Sequence, residues 1–145
     1  MMTQILFVCT GNTCRSPMAE ALLRFRAGND LQVKSAGLFA SDGHDVSTNT
    51  RLVLEENGIK CDHKSSFLTD DKVEWATYIF AMTNSHKQEI LFRFPKAASK
   101  VFTLKEFVAK NGDVSDPYGG SLDIYRDTFD EMVPLIDSLL LKLTL

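Results

Sequence analysis

Five residues separate Cys9 from Arg15 in the run Cys9, Thr10, Gly11, Asn12, Thr13, Cys14, Arg15, Ser16, which puts a thiol nucleophile and a guanidinium in one short loop. The run lies between an apolar, strand-like segment, Ile5 to Val8, and an amphipathic, helix-like segment, Pro17 to Arg26. A cysteine at the mouth of a strand, facing a helix N-terminus with an arginine beside it, is suited to attack a bound oxyanion. An ordinary thiol has a pKa near ~8.5, and such surroundings can lower it to roughly 3.5–7.5, so a reactive thiolate is expected at Cys9. The amides from Thr10 to Arg15 can point inward as a nest for phosphoryl oxygens. Gly11 and Asn12 both tolerate positive φ. Arg15 offers a planar fork for two equatorial oxygens, which lysine cannot reproduce. Ser16 is placed to cap backbone amides or to donate to the Cys9 sulfur. The chemistry implied is cleavage of a phosphate ester or phosphoramidate through a cysteinyl-phosphate. No Gly-Lys-Ser/Thr follows a spaced glycine, so the loop is not of the nucleotide-triphosphate kind.

A thiolate nucleophile needs an acid for its leaving group. Asp116-Pro117-Tyr118 lies in a glycine-rich loop, and the proline restricts the aspartate backbone. Alone, Asp116 reads as a turn residue. Paired with the Cys9 loop, it reads as the group that protonates the leaving atom and then activates water.

Alternating strand and helix patterns position these residues. Strands are expected at Ile5–Val8, Leu31–Ala36, Tyr78–Ala81 and Val101–Thr103. Helices are expected from Arg15 to about Ala27, stopped by Gly28, with Met18, Ala21, Leu22 and Phe25 as the apolar stripe. Further helices are expected from Thr48 or Thr50 to Asn57, from Asp70 and Asp71, over Ser85–Phe92, and around Lys105–Val108. A long amphipathic helix runs from Leu122, and Pro134 is expected to kink or divide it near Val133. The pattern predicts a three-layer α/β fold, a parallel sheet covered on both faces, with ligands bound beyond the carboxyl ends of the strands.

The chain has 145 residues, 44% hydrophobic and 24% charged, with a net charge of −3, so residues 1–145 read as one compact domain. The charge gives no basic footprint for nucleic acid. No apolar run approaches the roughly 20 residues of a membrane span, and no secretory signal is legible. Cys9, Cys14 and Cys61 are an odd set, unlike a disulfide framework, and fit the cytoplasm. His44, His63 and His86 have no ligand spacing, so neither a metal nor a cofactor is expected.

These features together resemble the low-molecular-weight protein-tyrosine phosphatase family. The resemblance rests on Cys9–Ser16 followed by Pro17, on Ser35-Ala36-Gly37, on His63 and on Asp116-Pro117-Tyr118, and it runs along essentially the whole chain. It implies a four-stranded parallel sheet flanked by helices, flavodoxin-like or Rossmann-like. It also implies Cys9 as nucleophile, Arg15 as phosphate-binding arginine and Asp116 as general acid. Thr10, Gly11, Asn12, Thr13, Cys14 and Ser16 would line the phosphate loop, with Tyr118 at the substrate. Asn12, Ser16, Ser35 and His63 would form a supporting hydrogen-bond network.

Two positions depart from tyrosine-specific members. Thr13 stands where those carry a bulky aliphatic residue, commonly isoleucine, and Gly119 where many carry a second aromatic. Thr13 with Gly119-Gly120 resembles the bacterial protein-arginine phosphatase branch. A phenyl ring wants an apolar slot, whereas a guanidinium wants acceptors and a carboxylate. The expected substrates are therefore phosphoarginine proteins, with phosphotyrosine proteins as the alternative and a phosphoprotein-binding module as the non-enzyme alternative. A monomer is expected. Cys14 reads equally as a packing cysteine or as a thiol that resolves oxidised Cys9, and the resemblance favours the second. An arsenate reductase would carry further redox cysteines on a later helix, and the stretch 78–92 has none. A sugar-transport phosphocarrier would lack Arg15 and would not need Asp116.

Overall fold

The structure, a computed structural model, describes residues 2–144. Four strands, β1 (Thr3–Cys9), β2 (Leu31–Gly37), β3 (Tyr78–Ala81) and β4 (Val101–Thr103), form a parallel sheet in the order β2-β1-β3-β4. Side chains alternate across a strand. Ile5, Phe7 and Cys9 therefore enter one core, with Met18, Leu22 and Leu23 of α1 (Arg15–Ala27) and Phe129, Met132, Ile136 and Leu139 of α6 (Leu122–Thr144). Leu6 and Val8 enter the opposite core, with Val73 of α3 (Asp70–Trp75) and Ile90 of α4 (Asn84–Arg93). Both faces are covered, as the continuous apolar strands require. The short helices α2 (Thr48–Glu56) and α5 (Leu104–Phe107) complete the layers.

The strand order places the site. β1 lies between β2 and β3, so the chain leaves its carboxyl end toward one side of the sheet and leaves β3 toward the other. The loops after β1 and β3 diverge there and open a crevice. The passage from the end of β1 through its loop into the first turn of α1 carries Cys9 to Ser16, and the first turn of α4 follows β3.

Three local expectations are corrected. Phe25 is exposed, and the buried stripe of α1 is Met18, Ala19, Leu22 and Leu23 instead. Ser16 does not cap α1: Cys14 holds the N-cap position without a side-chain bond. Pro134 does not divide α6, which runs unbroken from Leu122 to Thr144. Pro134 and Asp130, whose carbonyl loses its helical donor, are both on the exposed face, where water can bond the freed oxygen.

Candidate active site

The loop after β1 is shaped by Asn12, which adopts a left-handed backbone with φ 57°. Gly11 is not among the residues of positive φ, so the turn is carried by Asn12 alone. Asn12 is fully buried, and both ends of its amide are occupied. Its Nδ2 donates to Ser16 Oγ at 2.8 Å and to Ser35 Oγ at 2.9 Å. Its Oδ1 accepts from the Ser66 amide at 2.9 Å and faces His63 Nε2 at 3.1 Å. The loop backbone is pinned from outside by the amides of Leu38, Phe39 and Ser47, which donate to the carbonyls of Cys9, Thr10 and Thr13. Gly37 permits this close docking, because a Cβ there would lie 2.6 Å from the Thr10 carbonyl oxygen and 3.0 Å from the Asn12 nitrogen.

Cys9 ends β1 with its side chain 3% exposed. Its Sγ lies 2.8 Å from Ser16 Oγ. Ser16 Oγ already accepts from Asn12, so its own proton is free for the sulfur. Burial is the largest influence on the Cys9 thiol and pushes it above its ordinary range. The Ser16 hydroxyl, the Ser16 and Asn12 amides and the Arg15 charge all act in the opposite direction without offsetting it. The sequence reading expected a lowered thiol. The thiol is raised instead because the enclosed sulfur loses solvation that the loop donors do not fully replace.

Arg15 is buried, with its NH1 donating to the Val114 carbonyl at 3.0 Å and its NH2 3.6 Å from Asp116 Oδ2. The expected acid is thus brought to the guanidinium across the mouth of the loop. Asp116 Oδ1 accepts from the Tyr118 amide at 3.0 Å, and the Gly120 amide donates to the Pro117 carbonyl at 2.8 Å, which closes the turn. Gly119 has φ 78°, a conformation that disfavours any residue with a Cβ. Cys9, Thr10, Gly11, Thr13, Cys14, Arg15, Asp116 and Tyr118 surround a cavity of about 230 Å³. Tyr118 is largely exposed at its rim. Of the residues singled out from sequence, Asn12, Ser16, Ser35 and His63 lie behind this cavity rather than in it.

Three further residues belong to the site and escaped the sequence reading. Glu20 is 7% exposed, accepts from Ser35 Oγ, and lies 3.5 Å from His63 Nδ1 and 2.6 Å from Arg24 NH1. Burial pushes its carboxyl up, but the bonds from His63 and Ser35 and the Arg24 charge outweigh it and hold the group below the ordinary range. The signal was present: Ser16, Glu20 and Arg24 recur at helical spacing and share one face of α1. Both ring nitrogens of His63 face acceptors, Asn12 on one side and Glu20 on the other, so a continuous polar chain runs from Glu20 to the Cys9 sulfur. Tyr125 of α6 places its hydroxyl 3.4 Å from Cys14 Sγ, and burial followed by the Cys14 contact pushes it up to about 12. His86 of α4 bonds Thr10 Oγ1 at 2.8 Å. No local sequence signal marks Tyr125 or His86, because each reaches the loop through tertiary packing. Among the described residues no cluster of three metal-ligating side chains occurs. Cys61 lines a separate cavity, against the outer side of Glu20 and His63.

With buried Cys9 facing Arg15 and Asp116, the arrangement can hold a tetrahedral oxyanion above a sulfur with a carboxyl group at the exit. Comparison with known proteins gives the same picture. The family model described as low molecular weight phosphotyrosine protein phosphatase matches residues 4–144. A protein-arginine-phosphatase from Geobacillus stearothermophilus is 51% identical over 141 residues, covering 97% of this chain and 95% of the relative. The solved YwlE arginine phosphatase from Geobacillus stearothermophilus superposes with a TM-score of 0.95 at 50% identity, over 98% of this chain and 93% of that one. A YwlE arginine phosphatase mutant with a phosphorylated active-site serine superposes with a TM-score of 0.94 at 46% identity, over 98% and 96% of the two chains.

Proposed function

The chain belongs to the low molecular weight phosphotyrosine protein phosphatase family, and from that premise we propose that it hydrolyses phosphoarginine on proteins through a phosphate ester of Cys9. The observation that carries the substrate assignment is the cavity wall. Thr13 lines the cavity with a hydroxyl-bearing side chain where an aliphatic branch would grip a phenyl ring, and the Asp116 carboxyl group faces the space a guanidinium would fill. The relatives at about half identity act on phosphoarginine by name, and a phosphorylated active-site residue in a structural neighbour supports a covalent intermediate.

Arg15 and the loop amides hold the phosphoryl oxygens. The bound phosphoryl dianion takes the Cys9 proton, and the sulfur attacks phosphorus in line as the P–N bond breaks. Asp116 gives its proton to the departing guanidine nitrogen. A water then loses a proton to Asp116 and attacks phosphorus, which breaks the S–P bond and frees inorganic phosphate. The Asn12, Ser16, Ser35, His63 and Glu20 chain keeps the Ser16 proton aimed at the sulfur as its charge develops. Tyr118, exposed at the rim, can stack on the planar group.

Purified protein is expected to release phosphate from phosphoarginine far faster than from phosphotyrosine. The reverse order would transfer the assignment to phosphotyrosine, the reading favoured by the family at large. Turnover of neither would leave a phosphoprotein-binding module. Three free thiols fit the reducing cytoplasm proposed as its compartment. Cys14 shares the cavity with Cys9, which supports a redox role. Peroxide converts Cys9 to a sulfenic acid, and the Cys14 sulfur attacks the Cys9 sulfur as the S–O bond breaks, its thiol proton going to the leaving oxygen to give a disulfide and water. In excess peroxide the native chain should then stop at the disulfide, which dithiothreitol reverses, whereas Cys9 of Cys14→Ser should go on to the sulfinic acid, which dithiothreitol does not reduce. Irreversible loss in both would remove the switch.

A further inference from the structure

His86 is a buried imidazole beside the catalytic loop that the proposed reaction does not use. It sits in the first turn of α4, at the carboxyl end of β3, and is 8% exposed. Its backbone is fixed by the N-cap, since Thr83 Oγ1 accepts from the His86 amide at 3.1 Å. One ring nitrogen, Nε2, lies 2.8 Å from Thr10 Oγ1. The other, Nδ1, is buried with no partner among the described residues.

The hydrogen bonds decide which nitrogen carries the proton. Burial, and then the Arg15 charge, push His86 down to about 4, against Asp116 and Asp113, so the ring holds a single N–H near neutrality. A buried N–H without an acceptor is rarer and costlier than an unused lone pair. The proton therefore belongs on Nε2, which donates to Thr10 Oγ1, and Nδ1 keeps the idle lone pair. Thr10 Oγ1, occupied as an acceptor, has its own proton free. Thr10 is exposed and lines the cavity next to Cys9, so that proton has the phosphoryl space to enter.

We propose that His86 is a positioning residue for phosphoryl binding: it holds the Thr10 side chain so that the Thr10 hydroxyl donates to a phosphoryl oxygen in the cavity. The inference rests on the reading of that cavity as a phosphoryl site. It adds a side-chain donor to the backbone nest and a residue of the β3–α4 connection to the machinery of the β1 loop. Without the imidazole, the hydroxyl rotates freely and its proton is no longer committed to the ligand.

The test measures the affinity of inorganic phosphate for the intact protein by calorimetry, with KM and kcat on phosphoarginine alongside. His86→Leu and Thr10→Val are each expected to weaken phosphate binding about five- to tenfold, the effect of one lost hydrogen bond, and to raise KM more than they lower kcat. The double variant is expected to be no weaker than either single one. His86→Gln, which can offer an amide N–H where Nε2 stood, should recover most of the loss. Additive losses in the double variant, or a His86→Gln no better than His86→Leu, would reduce His86 to a packing residue and overturn the proposal. If His86→Leu does not fold, surface Thr10→Val decides: unchanged phosphate affinity overturns the proposal, and recovery in Thr10→Ser supports it. Phosphate binding is read without turnover. A chain that binds phosphate in this His86-dependent way but cleaves no phosphoarginine would overturn the functional reading and leave the positioning role intact.

Discussion

Replacing Ser16 by alanine removes a side-chain donor aimed at the Cys9 sulfur. Ser16 Oγ lies 2.8 Å from Cys9 Sγ, and its proton is committed there because Asn12 Nδ2 occupies an acceptor position on the same oxygen. A hydrogen bond to a charged group contributes about 1.5–3 kcal/mol. One pKa unit corresponds to about 1.4 kcal/mol, so Ser16→Ala should raise the Cys9 thiol by roughly one to two units. The direction follows from the balance at the sulfur, where burial already pushes the thiol up and the Ser16 bond is the foremost opposing influence. The reading is the pH dependence of Cys9 alkylation by iodoacetamide, followed on the Cys9 peptide by mass spectrometry so that Cys14 and Cys61 do not interfere. The midpoint should move up by one to two units, with alkylation about 10- to 100-fold slower at pH values below both midpoints. The rate of enzyme phosphorylation should fall by a similar factor while the fold survives, since Asn12 keeps its bond to Ser35. A midpoint that stays in place or moves down would refute the role assigned to Ser16 and to the chain of residues behind it.

Thr13→Ile should shift the ratio of kcat/KM for phosphoarginine over phosphotyrosine toward phosphotyrosine by about 10- to 100-fold, the range available from reshaping one pocket wall; an unchanged ratio would remove Thr13 from selectivity. Asp116→Asn should lower kcat/KM on phosphoarginine by about 10²- to 10⁴-fold, the usual contribution of a positioned acid–base group, as read by phosphate release. His86 falls from an ordinary 6.5 to about 4 in the folded chain, so it resists protonation there more than in the unfolded chain. Its contribution to stability is present above about pH 6.5 and is lost as pH falls toward 4, by up to about 3 kcal/mol. Urea unfolding of the native chain should show this decline, and His86→Leu should flatten it.

Much of the site is legible because it is local. Cys9, Asn12, Ser16 and Arg15 lie within one strand–loop–helix unit, and the periodicity on either side of it places Cys9 at the end of a buried strand. The four strands likewise follow from short apolar runs, which a doubly covered sheet demands. Glu20 escaped although it lies one turn beyond Ser16, because a charged residue on a helix is usually a solvated one. His86, Tyr125 and the Val114 carbonyl are brought in from 76 to 111 positions along the chain from their partners Thr10, Cys14 and Arg15 only by the packing of α4, α6 and the loop before α6. The raised Cys9 thiol was not legible either, because a motif names the donors around a sulfur but not the solvent it loses.

The central claim is that phosphoarginine is cleaved through Cys9. Mixing the protein with a radiolabelled phosphoarginine protein, quenching within milliseconds and mapping the label by mass spectrometry tests it directly. The phosphoryl group should be found on the Cys9 sulfur, at a level that rises and decays with turnover. Turnover with no label on Cys9, or label only on another residue, would contradict the account.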